Sequence, residues 1–318
     1  MSKRVQKTSA VYPRQPNWVA TQRVLPNAET SPLEGKVRLS PLKAAWFLGH
    51  GIAGVLGLLL FPQLGALLVF IGLTGLTVCA GHSVGMHRLL IHRSFEVPRG
   101  LEYALVWLGV LVGMAGPFGM IRAHDLRDWH QRQYVCPPHP SHSAAFWKDA
   151  WWQLCCVFQL RFPPNIVIED HVQSDRFYRF LEYTWMAQQL PIAVILFALG
   201  GWSWVLWGIS LRIFISLSGH WMVGHFAHRK GHQGWQIVGL PVQGYNLPGL
   251  GLITFGENWH GNHHAFPHSA KLGIEDGQLD PGFQLIRVLR RVGLATNVMT
   301  PNSFPARQGL EKVPNKST

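Results

Sequence analysis

Two long apolar runs set the pattern of this chain. Positions 44–84 are almost all apolar or glycine, and the run breaks once, at Phe61-Pro62-Gln63-Leu64-Gly65. A hydrocarbon core of about 30 Å needs roughly 20 apolar helical residues, so this run is long enough to cross twice. Pro62 and Gly65 mark the turn. The spacing predicts a hairpin of two spans over 44–60 and 64–84. A second run gives spans over 183–199 and 203–223, turning at Gly200-Gly201-Trp202-Ser203. A third run, 101–120, is also long enough to cross. If it crossed, the histidines after it would face the opposite side from all the others. The stretch Gly113-Met114-Ala115-Gly116-Pro117 interrupts it, so it is expected along the membrane surface or packed under the polar part.

Charge orients this arrangement. Eight Lys and Arg lie in the basic N-terminal tail, 1–43, and seven from Lys271 onwards. The positive-inside rule then makes both termini cytoplasmic. That tail lacks the short apolar stretch and cleavage site of a signal peptide. The expected organisation is an all-α integral membrane protein: four transmembrane helices as two hairpins, carrying a cytosolic histidine-rich helical cap. Its parts are the tail 1–43, a membrane domain 44–295 and a C-terminal tail 296–318. Composition agrees, with 47% apolar but only 14% charged residues. The net charge of +12 suits anionic lipid or a phosphorylated substrate better than nucleic acid once spans are present. Four cysteines make no disulfide framework, and Cys136 with His139 is a Cys-x-x-His pair without a second pair to complete a zinc site.

The chemistry lies in the histidines. Sixteen of the 17 fall between His82 and His268, and the clustered ones sit just beyond a span on one face. His87 and His92 are five apart, which on an α-helix is about 140° and not one stripe. The stretch from His124 to His142 adds His124, His130, His139 and His142, with Asp125 and Asp128 nearby. His225 and His228 end the last span at i, i+3. His260, His263 and His264 at i, i+3, i+4 share a helix face. Each group alone passes for surface or core histidines. All of them delivered to one membrane face argue for metal. More donors than the four of a structural zinc site call for two ions. Two redox metals beside a bilayer suit oxygen activation against an unactivated C–H bond.

"HRLLIH" (87–92), "GHFAH" (224–228) and "GENWHGNHHAFPH" (256–268), with two hairpins and cytosolic termini, resemble the membrane fatty-acid desaturases, in particular the acyl-CoA branch. The resemblance runs from about 45 to 295. It implies two iron ions held by histidine, O2 as co-substrate, and removal of two hydrogens from a saturated acyl chain. By it, His87 and His92 form the first box, His260, His263 and His264 the third, and His228 an extra ligand. The usual HxxHH of the middle box is missing, and "HDLRDWHQR" stands in its place, similar to bacterial members. His124, then His130 and His142, are the implied ligands there, with His139 an additional candidate. Gly224 replaces an asparagine of the acyl-CoA branch, and the adjacent His225 is a candidate to compensate.

The resemblance also implies an inner-membrane enzyme of bacteria with the metal site cytosolic. Arg88, Arg93, Arg122, Arg127, Arg132 and Lys148 are candidates for the phosphates of acyl-CoA or of lipid, though each alone reads as a positive-inside residue. Trp129, Trp147, Trp151, Trp152 and Trp259 read as interfacial belt or acyl-tunnel lining. No Rossmann fingerprint or haem-binding "HPGG" is present, so electrons are expected from a separate ferredoxin or cytochrome b5 type protein. The competing readings are a di-iron lipid hydroxylase and a metal-binding or transport protein. A transporter would carry its ligands near the midplane, where only His50 and the deeper His220 stand.

Overall fold

The computed structural model describes residues 23–314. Its helices of six or more residues are α1 (Pro41–Leu60), α2 (Leu64–Ile91), α3 (Arg99–Val110), α4 (Pro117–Gln131), α5 (Phe146–Cys155), α6 (Arg176–Thr184), α7 (Gln189–Ala227), α8 (His260–Ala265) and α9 (Pro281–Arg291). Prolines open α1, α4 and α9, where a missing N–H costs nothing. Three of these helices, α1, α2 and α7, are long and apolar enough to cross a membrane.

Helix α7 is not straight. Gly201, at φ 64° and ψ −158°, takes a conformation open only to glycine. Leu196 packs with Ile209 and Ile213, and a Cβ added at Gly208 would meet Leu196 Cδ1 at 2.7 Å. In a straight helix those twelve positions would span about 18 Å. The chain therefore folds back at the turn expected from Gly200-Gly201-Trp202-Ser203. The two turns are tied together, because Ser203 Oγ donates to Phe61 O (3.1 Å) and Trp207 Nε1 donates to Gly57 O (3.0 Å). Phe61 O, beyond the last turn of α1, thus gains donors that lipid cannot supply, since Trp207 Nε1 also lies 3.2 Å from it.

The 101–120 run is split. Helix α3 ends at Val110, Gly113 turns at φ 86°, and α4 begins at Pro117. Neither piece is long enough to span. Helix α3 lies in a shallow groove on α2, where a Cβ at Gly81 would stand 2.3 Å from Leu108 C and one at Gly85 would stand 2.3 Å from Leu105 O. Small residues four apart let the two backbones touch. The last sixteen residues of α2, Leu76–Ile91, are wound as a π-helix.

The cap is not purely helical. Three two-stranded antiparallel ribbons pair β1 (Val24–Leu25) with β4 (Asn165–Ile166), β2 (Gly35–Leu39) with β3 (Cys156–Leu160), and β5 (Trp235–Ile237) with β6 (Leu310–Lys312). They tie the described residues near both ends to the body of the protein. Arg23 is buried, with Nη1 3.2 Å from Asp125 Oδ2 and 3.0 Å from Ile91 O, and Nη2 2.9 Å from Glu169 Oε1. The described part of the N-terminal region is thus bound to the cap, while 1–22 of the expected tail lie outside the described residues. Near the other end, Arg307 Nη1 donates to His264 O at 3.0 Å.

Gly85→Val would force α3 off α2, an overpacking cost of about 1–3 kcal/mol. A lower thermal midpoint in detergent is expected, while Gly72→Ala, where nothing lies within 4 Å of the new Cβ, should leave it unchanged.

Candidate metal centre

The π-winding at the end of α2 is the first step in building the site. Its i→i+5 bonds stack residues five apart, and His92 N donates to His87 O at 3.0 Å. The two rings, about 140° apart on an α-helix, come to 4.8 Å between centroids. His124 arrives from α4 and His263 from α8. His92 Nε2 and His124 Nε2 stand 3.2 Å apart, and the four donor atoms of His87, His92, His124 and His263 all lie within 4.8 Å of one another.

A second group lies alongside. His228, just past α7, meets His260 and His264 of α8. His228 Nε2 is 3.0 Å from His260 Nε2, which is 3.1 Å from His264 Nε2. Two nitrogens bound to one ion at about 2.1 Å and at right angles would lie about 3 Å apart. Both groups thus fit a metal ion. Helix α8 serves both, sending His263 to one group and His260 and His264 to the other.

The outer nitrogens have partners of their own. His228 Nδ1 donates to Gln243 O (3.0 Å), His124 Nδ1 stands 3.2 Å from Asp125 Oδ1, and His87 Nδ1 stands 2.7 Å from Glu257 Oε2. Such contacts fix ring orientation and leave Nε2 facing inwards. Burial holds His92, His260, His263 and His264 well below the ordinary imidazole range, and neighbouring imidazoles add to it. Burial likewise takes His228 down to about 4. Neutral imidazoles are what a metal requires. In His124 burial is outweighed by Asp128 and Asp125, which raise it.

The loop before α8 explains the remaining letters of "GENWHGNHH". Gly256 sits at φ 95°, and a Cβ there would be 2.3 Å from Asp280 Oδ1. Asn258 Nδ2 donates to Leu247 O (2.8 Å), and Asn262 Nδ2 donates to Leu272 O (2.7 Å). The asparagines satisfy backbone groups that a tight buried loop would otherwise leave open.

Four expected histidines stand outside both groups. His130 is about 120° round α4 from His124, donates from Nδ1 to Leu126 O (2.8 Å) and packs on Trp129 and Phe158. His139 stacks on Phe158 and Trp152. His142 and His225 form a third group with Asp149. There Asp149 Oδ2 accepts from His142 Nδ1 (2.9 Å), His225 Nδ1 (2.8 Å) and Trp221 Nε1 (2.9 Å), while Arg127 Nη1 reaches His142 Nε2 at 2.6 Å. This network is joined by its own hydrogen bonds and keeps a guanidinium beside it.

The α4 stripe facing the site is instead His124, Asp128 and Gln131, at i, i+4, i+7. Asp128 is buried against Arg132 Nη2 (3.1 Å), and Gln131 Nε2 donates to Pro140 O (2.8 Å) and comes within 3.1 Å of His228 Nε2. Neither Gln131 nor Glu257 was a candidate from the sequence, though helical spacing from His124 points to Gln131.

No protein-family model matches the chain. It is 33% identical over 225 residues to the sn-1 stearoyl-lipid 9-desaturase of Synechocystis sp., covering 70% of this chain and 68% of that one. It is 31% identical to an acyl-CoA 5-desaturase of Anemone leveillei, over 75% of this chain and 74% of the other, and 30% identical to the sn-2 palmitoyl-lipid 9-desaturase of Nostoc sp., over 72% and 80%. The chain belongs to the membrane fatty-acid desaturases. It is therefore an oxidoreductase. In this desaturase Gly224 lies against His142: a Cβ there would stand 3.0 Å from His142 Nε2. The imidazole of His142, and not that of His225, fills the space the glycine leaves.

Burial also holds His130 at about 4 and His139 at about 3. Both are neutral when folded and free to protonate when unfolded. Their contribution is complete above about pH 6.5 and is lost as pH falls towards 4. The thermal midpoint of chelator-treated protein should drop between pH 7.5 and 5, and the double variant His130→Gln, His139→Gln should make that drop smaller, the remaining buried histidines keeping the rest.

Proposed function

We propose that this desaturase introduces a cis double bond into a saturated acyl chain, carried on lipid or CoA, at a centre of two iron ions. His87, His92, His124 and His263 would hold one ion, and His228, His260 and His264 the other. The observation that carries this reading is the pair of imidazole groups with nitrogens 3.0–3.2 Å apart, at the ends of apolar helices, in a chain akin to acyl desaturases. When bound, the irons would supply oxygen activation: O2, two electrons and two protons, with two hydrogens taken from the chain, give two waters and the alkene.

The protein's own part is to position and to exclude. Glu257, Asp125 and the Gln243 carbonyl hold the imidazoles with Nε2 inwards, and the buried cap keeps bulk water from a reactive site. The buried network of His142, Asp149, His225 and Arg127 braces α4 and α5 against the last turn of α7. In this reading α7 crosses the membrane twice, turning at Gly201, so that α1, α2 and the two halves of α7 make two hairpins. Both termini and the centre then face the cytoplasm, in a bacterial inner membrane. The domain 44–295 would do the chemistry, flanked by 1–43 and 296–318, with electrons delivered by a separate ferredoxin or cytochrome b5 type protein. Relatives named for both acyl-lipid and acyl-CoA substrates support either carrier.

Mass spectrometry of detergent-purified protein should find two irons per chain, and near-stoichiometric zinc without iron would overturn the reading. Cells making the protein should gain a cis-monounsaturated fatty acid, whereas a hydroxylated chain would make it a hydroxylase. His260→Ala should lose iron and activity while still inserting in the membrane. His139→Gln should keep both.

A further inference from the structure

The loop 247–256, between the last span and the metal-binding α8, has no charged residue until Glu257. Its Leu252 and Ile253 are 64% and 70% exposed. Isolated apolar side chains on a surface need no explanation, but the position of this loop does. Phe255 reaches Gly75 of α2, where an added Cβ would be 3.8 Å from Phe255 Cζ, and Ser83 Oγ donates to Phe255 O at 3.3 Å. Gly75 lies in the uncharged stretch 64–81 of a membrane-crossing helix. The loop therefore runs beside the part of α2 that meets hydrocarbon. Its polar groups are satisfied internally: Thr254 N and Oγ1 both donate to Leu250 O, at 3.0 and 2.8 Å, and Gly256 N donates to Gly251 O at 3.1 Å. Irregular backbone needs such pairing at membrane depth.

Helix α9 extends the same surface. A Cβ at Gly251 would be 2.4 Å from Leu279 O, so the loop abuts the chain two residues before α9. The inner face of α9 buries Ile286, with Phe283 and Leu289, against Ala80, Val84 and Leu89 of α2. Its outer face leaves Val288 and Val292 exposed beside exposed Arg287, Arg290 and Arg291. Apolar residues flanked by a cationic stripe suit an anionic headgroup layer.

We propose that 247–256 and α9 form a non-spanning contact with the bilayer that the helices cross, with Leu252 and Ile253 among the acyl chains and the three arginines on anionic lipid phosphates. This rests on the membrane topology proposed above. The contact fixes the cap at one height over the membrane, because Glu257 and His260 follow the loop directly.

The test uses full-length, iron-loaded protein in lipid nanodiscs, with the four native cysteines replaced by alanine and one cysteine labelled with bimane. A label at Ile253→Cys should lose fluorescence to lipids brominated on their acyl chains and be insensitive to aqueous iodide. The same label at Glu311→Cys on β6 should show the reverse, and at Leu56→Cys on α1 should mark the hydrocarbon. Quenching of position 253 by iodide alone, with position 56 quenched by bromine, overturns the proposal and leaves the topology standing. Bromine failing at both positions overturns the topology. Native mass spectrometry of the protein with its native cysteines gives an independent measure. The triple variant Arg287→Gln, Arg290→Gln, Arg291→Gln should retain less phosphatidylglycerol than wild type, and equal retention overturns the role of the arginines.

Discussion

The centre depends on the wide winding at the end of α2. Two histidines five residues apart diverge on an α-helix and converge on a π-helix, and the first metal group exists only because Leu76–Ile91 takes the second form. The change in winding is held from outside. Gly81 and Gly85 press α2 onto α3, and Arg88, buried in the widened stretch, reaches Asp280 Oδ1 at 2.9 Å, ahead of α9. The helix that carries the first histidines is thus locked by the elements packed on either side of it.

Collecting seven imidazoles in a buried place has an electrostatic consequence. Burial pushes His92, His228, His260, His263 and His264 towards the neutral form, while Asp128 and Asp125 do the opposite to His124. The protein therefore presents lone pairs at neutral pH instead of a cluster of cations. Carboxylates at the outer nitrogens supply negative charge that two dications would need. Burial opposes ionisation of Glu257, but His87 and Arg88 together take it well below the ordinary carboxylate range.

Regions away from the centre serve it as well. Within the regions read from the sequence as tails, the described residues Arg23 and Arg307 are tied in, Arg23 on Asp125 and Arg307 on the carbonyls of His264 and Ala265. Each of these arginines touches the residue beside a metal-group histidine, or the helix that carries it. Basic charge near the termini is thus partly structural, which net charge and loop counting do not distinguish from a positive-inside bias.

The sequence by itself determined the parts whose cause is local. Run length and Pro or Gly breaks located the turns at Pro62 and Gly201, since a bilayer sets helix length and these residues end helices. Spacing of three and four showed that His260, His263 and His264 share a face. Only the tertiary structure decided how that face divides between two groups, that His87 and His92 converge, and that Gln131 and Glu257 adjoin the two imidazole groups while His130 and His139 stand apart from them. The physical reason is that helix winding, which side of a helix meets a neighbour, and which residue fills the gap over Gly224 are set by packing between segments far apart in the chain. A histidine's type and spacing are written in the sequence, but the direction of its nitrogen is fixed by what packs around it.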